Sequence, residues 1–208
     1  MRRAKVNLFQ LLIFLGVLMW SGIKPYDTFT WMLEVAPAVI GAVVIVATYK
    51  KFPLTPLTYW LVLIHAIILI IGGHYTYARV PFFNWLKDIF ELERNNYDKL
   101  GHFVQGFTPA VIAREILLRK SVVSKGKWLF FIVISICMAI SAFYELLEWW
   151  VALATGTGSN EFLGTQGYIW DTQSDMFYCL IGAFLSLIFF RKLHDRELEI
   201  IDSESKRG

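Results

Sequence analysis

Long apolar runs separated by short polar connectors make up this chain. The runs cover residues 8–23, 31–49, 56–73, 128–153 and 176–190. A bilayer core of roughly 30 Å is crossed by about 20 helical residues, and these runs suffice for that, the last when extended back to Asp171. The pattern predicts membrane-spanning helices rather than strands or a soluble core. A sixth stretch, 100–118, has helical length but holds His102, Gln105, Thr108, Pro109, Arg114 and Glu115. As a span it needs protein neighbours in place of lipid.

The basic residues decide whether that stretch crosses. Arg2, Arg3 and Lys5 precede the first run, and Lys50 and Lys51 separate the second from the third. Arg119, Lys120, Lys125 and Lys127 follow the 100–118 stretch, and Arg191, Lys192 and Arg196 follow the last run. Six crossings put all four groups on one side, as the positive-inside rule requires, whereas five split them. The expectation is an all-α, polytopic membrane helix bundle of about six transmembrane helices, a single unit over 1–193 with both termini cytoplasmic.

The first run has no small-x-small cleavage site before Lys24 and reads as a retained helix. Residues 80–94, VPFFNWLKDIFELER, set Phe82, Phe83, Trp85 and Phe90 against Lys87, Asp88, Glu91 and Glu93. That is the pattern of an amphipathic helix lying along the outer interface, in a position to act as a lid. Residues 194–208 read as a charged cytoplasmic tail, a helix fraying at its end, with no function assigned.

Composition agrees with the class and excludes others. Hydrophobic residues make up 56% of the chain and mean hydropathy is +0.51, above the ordinary soluble range of about 45–50% apolar residues. The net charge of +3 is spread over loops on one side and forms no basic face, so nucleic acid is not an expected partner. Neither a Gly-rich phosphate loop nor a nucleophile elbow occurs. Cys137 and Cys179 lie within spans and form no redox motif.

The candidate chemistry lies in three pairs: Asp98 with His102, Glu145 with Glu148, and Asp171 with Asp175. Spacings of three and four residues place each pair on one helix face. Depth brings the pairs together. Glu145 lies about 17 residues beyond Trp128, roughly 26 Å along a helix, at the outer edge of the hydrocarbon. Asp171 and Asp175 bracket the same level, and His102 lies about one turn inside Asp98. His74, behind Gly72 and Gly73, arrives at that layer too, and Glu34 is a further candidate. Imidazoles combined with carboxylates suit Zn, Mn or Fe better than Mg or Ca. The expected metal set is therefore His74, Asp98, His102, Glu145, Glu148, Asp171 and Asp175, with His102, Glu145 and Asp175 as its catalytic centre. Lys99 and Arg79 are candidates for binding a substrate phosphate.

Plainer roles compete with this one. Asp98 and Asp171 sit at helix starts, where carboxylates cap N-termini, and Glu148 beside Trp149 and Trp150 suits a solvated headgroup position. His102, Glu145 and Asp175 would equally serve as a hydrogen-bond network between helices. His65, in the apolar run LVLIHAIIL, reads as a lone interhelical hydrogen bond and is left out of the site. Arg114 and Glu115 read as structural.

Four segments carry a likeness to a known family: GGHYTYARVPF over 72–82, NNYDKLGHFVQGF over 95–107, SAFYELLEWW over 141–150 and LGTQGYIWDTQSDM over 163–176. Through them the chain resembles, over its full length, a family of bacterial inner-membrane proteins named after YjdF. The resemblance implies a multi-pass protein of the bacterial inner membrane and no defined activity. More distantly, Asp98-Lys99-x-x-His102 followed by a Glu-bearing and an Asp-led helix is similar to the VanZ group of small membrane proteins, associated with glycopeptide tolerance. The chain departs from that pattern in lacking an Arg ahead of the Asp-led helix.

Three functional classes remain open. One is a metal-dependent hydrolase or transferase on a lipid or lipid-linked substrate, with the bilayer as its other partner. The second is a proton-coupled transporter or permease, disfavoured because the polar groups cluster at one end and no inverted repeat is evident. The third is a non-enzymatic membrane subunit or stress-tolerance factor.

Overall fold

The computed structural model describes residues 2–156 and 166–205. Among these every regular element is a helix: α1 (Arg2–Ser21), α2 (Thr28–Thr48), α3 (Pro56–Tyr75), α4 (Pro81–Ile89), α5 (Tyr97–Arg119), α6 (Lys127–Thr155), α7 (Asp171–Phe189) and α8 (Arg191–Ser205). Six of them have 19 or more residues, about the length of a bilayer core. Helices α2, α3, α6 and α7 are also apolar enough to cross a membrane, and α1 is apolar over Lys5–Ser21. The outer surface is strongly apolar, with Leu12, Met19, Val43, Phe131 and Phe189 all more than half exposed. This is the surface of an all-α membrane helix bundle.

Local chemistry sets the helix ends. Asp27 caps α2 by accepting from the Thr30 amide at 2.7 Å, and Thr55 caps α3, whose first residue is Pro56. Thr76 closes α3 in the left-handed conformation, its amide returning to the Gly72 and Gly73 carbonyls. Such caps satisfy the polar groups that every helix end leaves over.

Helix α5 is the centre of the bundle. It packs against α3, α6 and, most extensively, α7, while α1 and α2 pack on α3. Between lipid-embedded helices burial of apolar surface supplies little drive, so close backbone approach carries the association. Gly106 of α5 lies against the Cys179 carbonyl, and Gly182 of α7 against the Phe103 carbonyl. A Cβ at either position would overlap backbone. Ala110, Ala183, Cys137 and Cys179 complete this seam and are fully buried. The polar residues of 100–118 are thereby shielded by protein: His102, Thr108, Arg114 and Glu115 are all buried.

Connectors 22–27 and 76–96 and residues 166–170 share one end of the bundle, linked by Tyr26 to the His74 carbonyl and by Asn95 to Gln166. The opposite end gathers the basic connectors. There Arg119 donates to the Pro53 carbonyl at 2.6 Å and Asp195 bridges Arg114 and Lys125.

Two boundaries depart from expectation. The amphipathic helix expected over 80–94 stops at Ile89, because Glu91 turns left-handed and residues 94–96 are tied down by side-chain bonds. The charged tail expected from 194 is helical over most of its length, as part of α8, and it packs on α3 and α7. One face of it, His194, Leu198 and Ile201, is buried. His194 lies 2.9 Å from Arg114 Nη1 and 3.3 Å from Glu115 Oε2. Asp195 is pulled up by partial burial but more strongly down by hydrogen bonds from Lys125 and Arg114, so its carboxyl titrates below the usual range.

Candidate functional site

Three helices deliver their acidic residues to the connector end of the α5–α7 seam. Asp98 and His102 stand one turn apart on α5, Glu145 and Glu148 on α6, Asp171 and Asp175 on α7, and all six are buried. His102 is the hub. Its Nε2 lies 3.5 Å from Asp98 Oδ1 and 4.0 Å from Asp175 Oδ2. Its Nδ1 lies 3.1 Å from Gln105 Oε1 and 3.7 Å from Glu145 Oε1. Both ring nitrogens thus face oxygen acceptors.

The first turns are not capped in the expected way. The N-cap residues Asn96 and Trp170 make no side-chain cap bond, and the first amide of α5, that of Tyr97, donates to Asn95 Oδ1 at 3.0 Å. Instead Arg94 reaches 77 residues along the chain to Asp171, Nη1 to Oδ1 at 2.5 Å, and lies 3.7 Å from Asp98. Asn95 holds this connector in place, donating to the Val80 carbonyl and to Asn84 and exchanging bonds with Gln166. Arg94 was hidden to sequence reading inside the amphipathic segment. Its distance of four residues from Asp98, the spacing that singled out Asp98 with His102, was the available signal.

Charge in the cluster is unbalanced. Among the described residues Asp98 Oδ2, Glu145 Oε1 and Asp175 Oδ1 are buried and accept no hydrogen bond, although Arg94 Nη2 stands 3.7 Å from the first and His102 Nδ1 3.7 Å from the second as ion-pair partners. Buried oxygens without donors are uncommon and call for an explanation such as a bound ion. Asp98, His102 and Asp175 each present one donor atom within 4.8 Å of the others. Closing by less than about 1 Å each would let them share one ion at roughly 2.0–2.2 Å.

The remaining candidates divide. Glu148 joins Glu34, Asp98, His102 and Tyr144 at one end of a cavity of about 640 Å³. Glu34 faces the phenols of Tyr77 and Tyr144. Burial, and next the negative charge of Glu34, push the Tyr77 hydroxyl well above its ordinary range, so it acts as a hydrogen-bond donor and not as a base. Lys99 stands over the rings of Tyr168 and Tyr178 at 5.2 and 5.6 Å, beside Arg94 over the same Tyr168. His74 and Arg79 are not brought to the cluster. His74, in the last turn of α3, bonds the Ser21 carbonyl at 2.8 Å and packs against Trp20, while exposed Arg79, beyond the left-handed residues Thr76 and Tyr77, sits 4.0 Å over Tyr26. His65, left out by sequence reading, lines the cavity, which continues past it to Lys51 and Lys120 at the basic end.

Comparison with known proteins fits this picture. The family described as "Predicted membrane protein (DUF2238)" matches over residues 6–196. The chain belongs to this family. It is also 51% identical over 182 residues to the Inner membrane protein YjdF of Escherichia coli (strain K12), covering 88% of this chain and 87% of that protein. No solved structure matches. Membership agrees with the apolar, all-helical bundle and supports a multi-pass membrane protein.

Proposed function

We propose that this protein is a metal-dependent hydrolase or transferase acting on a lipid or lipid-linked substrate at the outer face of the bacterial inner membrane. One observation carries the reading: three helices converge buried carboxylates on His102, and one oxygen of Asp98, Glu145 and Asp175 each lacks a hydrogen-bond donor. Five carboxyl groups from these helices, with Glu34 of α2 nearby, gather there against Arg94, Lys99 and His102. Buried charge in such excess persists only when paired or bound to a cation.

Asp98, His102 and Asp175 would hold the ion, and their mixed nitrogen and oxygen donors suit Zn, Mn or Fe. When bound, such an ion lowers the pKa of water and polarises a phosphoryl or ester oxygen. Glu145, steadied by Thr172, takes the proton from the attacking water or alcohol. Arg94 fixes Asp171 and with it the first turn of α7. Lys99, beside the cluster, receives the substrate's negative charge. The basic connectors support a cytoplasmic position for the opposite end, and the name of the Escherichia coli relative supports the inner membrane.

Elemental analysis of detergent-purified protein tests this. Wild type is expected to carry a near-stoichiometric transition metal that is lost in His102→Ala and Asp175→Asn at unchanged yield. Well-folded wild type without metal would overturn it. A second reading, proton-coupled transport, is favoured by His65 and Gln105 in the wall of the same long cavity. It requires proton flux in proteoliposomes that His65→Ala abolishes.

A further inference from the structure

The cavity is far longer than the polar cluster needs. From Glu34, Asp98 and His102 it runs between α2, α3, α5 and α6 to Lys51, Phe52 and Lys120, and its volume of about 640 Å³ lies in the range of sites that enclose whole ligands. Between those ends the walls are mostly apolar, interrupted by His65, Gln105 and Thr108. Pro37 and Pro109 sit inside α2 and α5 facing it, and nothing lies within 4 Å of the position a Cβ would take on Gly41. The seam is open because α2 packs on α3, whereas α6 packs on α5 and α7.

Length identifies the occupant. From His102 to Lys120 along α5 is about 27 Å, and from Glu34 to Thr48 along α2 about 21 Å, at roughly 1.5 Å per residue. Half of a bilayer core is only about 15 Å. A chain lying in this groove with its headgroup at the cluster therefore passes the membrane midplane, which a lipid chain of ordinary leaflet length does not. The far end is stopped by Phe52, whose ring is covered by Arg119 at 3.8 Å and Lys120 at 5.4 Å.

We infer that the groove holds the single, long, linear hydrocarbon chain of the substrate, a polyisoprenoid-type lipid, and measures its length against Phe52. The inference rests on the reading of the cluster as the headgroup site and names the substrate class. A second cavity of about 570 Å³, between α1, α2 and α3, reaches none of the cluster residues, so a chain anchored at the cluster enters the first.

The test uses wild-type protein in nanodiscs and isoprenyl phosphates of increasing chain length, each with a diazirine at the chain end. Labels from short probes are expected near Ala66 and Leu69, and labels from long probes at Ile112, Val44 and Phe52. Gly41→Trp and Ile112→Trp should reduce long-probe labelling at least tenfold while leaving short-probe labelling and metal content unchanged. Labelling spread over the lipid-facing residues Leu12, Val43 and Phe131 without dependence on length would overturn the inference, as would equal competition by a diacyl phospholipid. Length-dependent groove labelling in a metal-free wild type keeps the inference and sinks the metal reading. Stoichiometric metal without groove labelling does the reverse.

Discussion

Replacing Asp175 by Asn separates a metal site from a structural network. Asn keeps the volume and removes one charge. In ion-free protein the Asp98 and Asp175 oxygens, within 4.8 Å, repel by about 3.5 kcal/mol at an effective dielectric of about 20. A protonated His102 at 4.0 Å from Asp175 attracts by about 4 kcal/mol on the same scale. The two nearly cancel, and Asp175 Oδ1 has no hydrogen bond to lose, so the chelated variant should match chelated wild type within about 1 kcal/mol. Added metal behaves differently. At 100 times its dissociation constant an ion stabilises its site by about 2.7 kcal/mol, and at about 2–4 °C per kcal/mol wild type should melt roughly 5–11 °C higher. The assay is thermal unfolding in detergent, with chelator and then with Zn or Mn. Wild type should shift and Asp175→Asn should not. Equal shifts in both, or a chelated variant weakened by more than about 3 kcal/mol, would refute the reasoning.

The basic end should respond in the opposite way. Glu115 is fully buried and accepts from the Thr55 amide, both Thr55 and Thr58 hydroxyls, and Arg119 at 2.7–2.9 Å. Glu115→Ala should cost about 3–5 kcal/mol, seen as a lower melting temperature whether or not metal is present. Gly106→Leu and Gly182→Leu place side chains into opposing backbone and should abolish the monodisperse peak in size-exclusion chromatography, while Gly41→Leu leaves it intact. Because the folded pKa of Asp195 is depressed, its contribution is complete above the unfolded value of about 3.9 and lost as pH falls through the folded one. The melting difference between wild type and Asp195→Asn should therefore stay flat from pH 5 to 8 and shrink only in stronger acid.

Reading of the site was uneven for a physical reason. That Asp98, His102, Glu145 and Asp175 share one level was legible because helical rise converts residue number into depth, and depth is what a bilayer imposes. Depth says nothing about direction around the bundle. His74 has the right height but faces Trp20 and Ser21, and Arg79 follows it to Tyr26. Arg94 was missed because its partner Asp171 lies 77 residues away, beyond any local pattern.

By itself the sequence determined the class of the protein, the approximate positions of its long helices and the side on which its basic connectors collect. Those follow from hydropathy summed over about 20 residues and from charge in short loops, both local quantities. Tertiary structure decided which polar residues meet. The close crossing of α5 and α7 at Gly106 and Gly182 sets the rotation that turns Asp98, His102 and Asp175 toward one another. The same packing leaves the α2 seam open as a long cavity and docks α8 through His194. Steric fit between backbones fixes these features, and no hydrophobic or charge pattern along the chain encodes that fit.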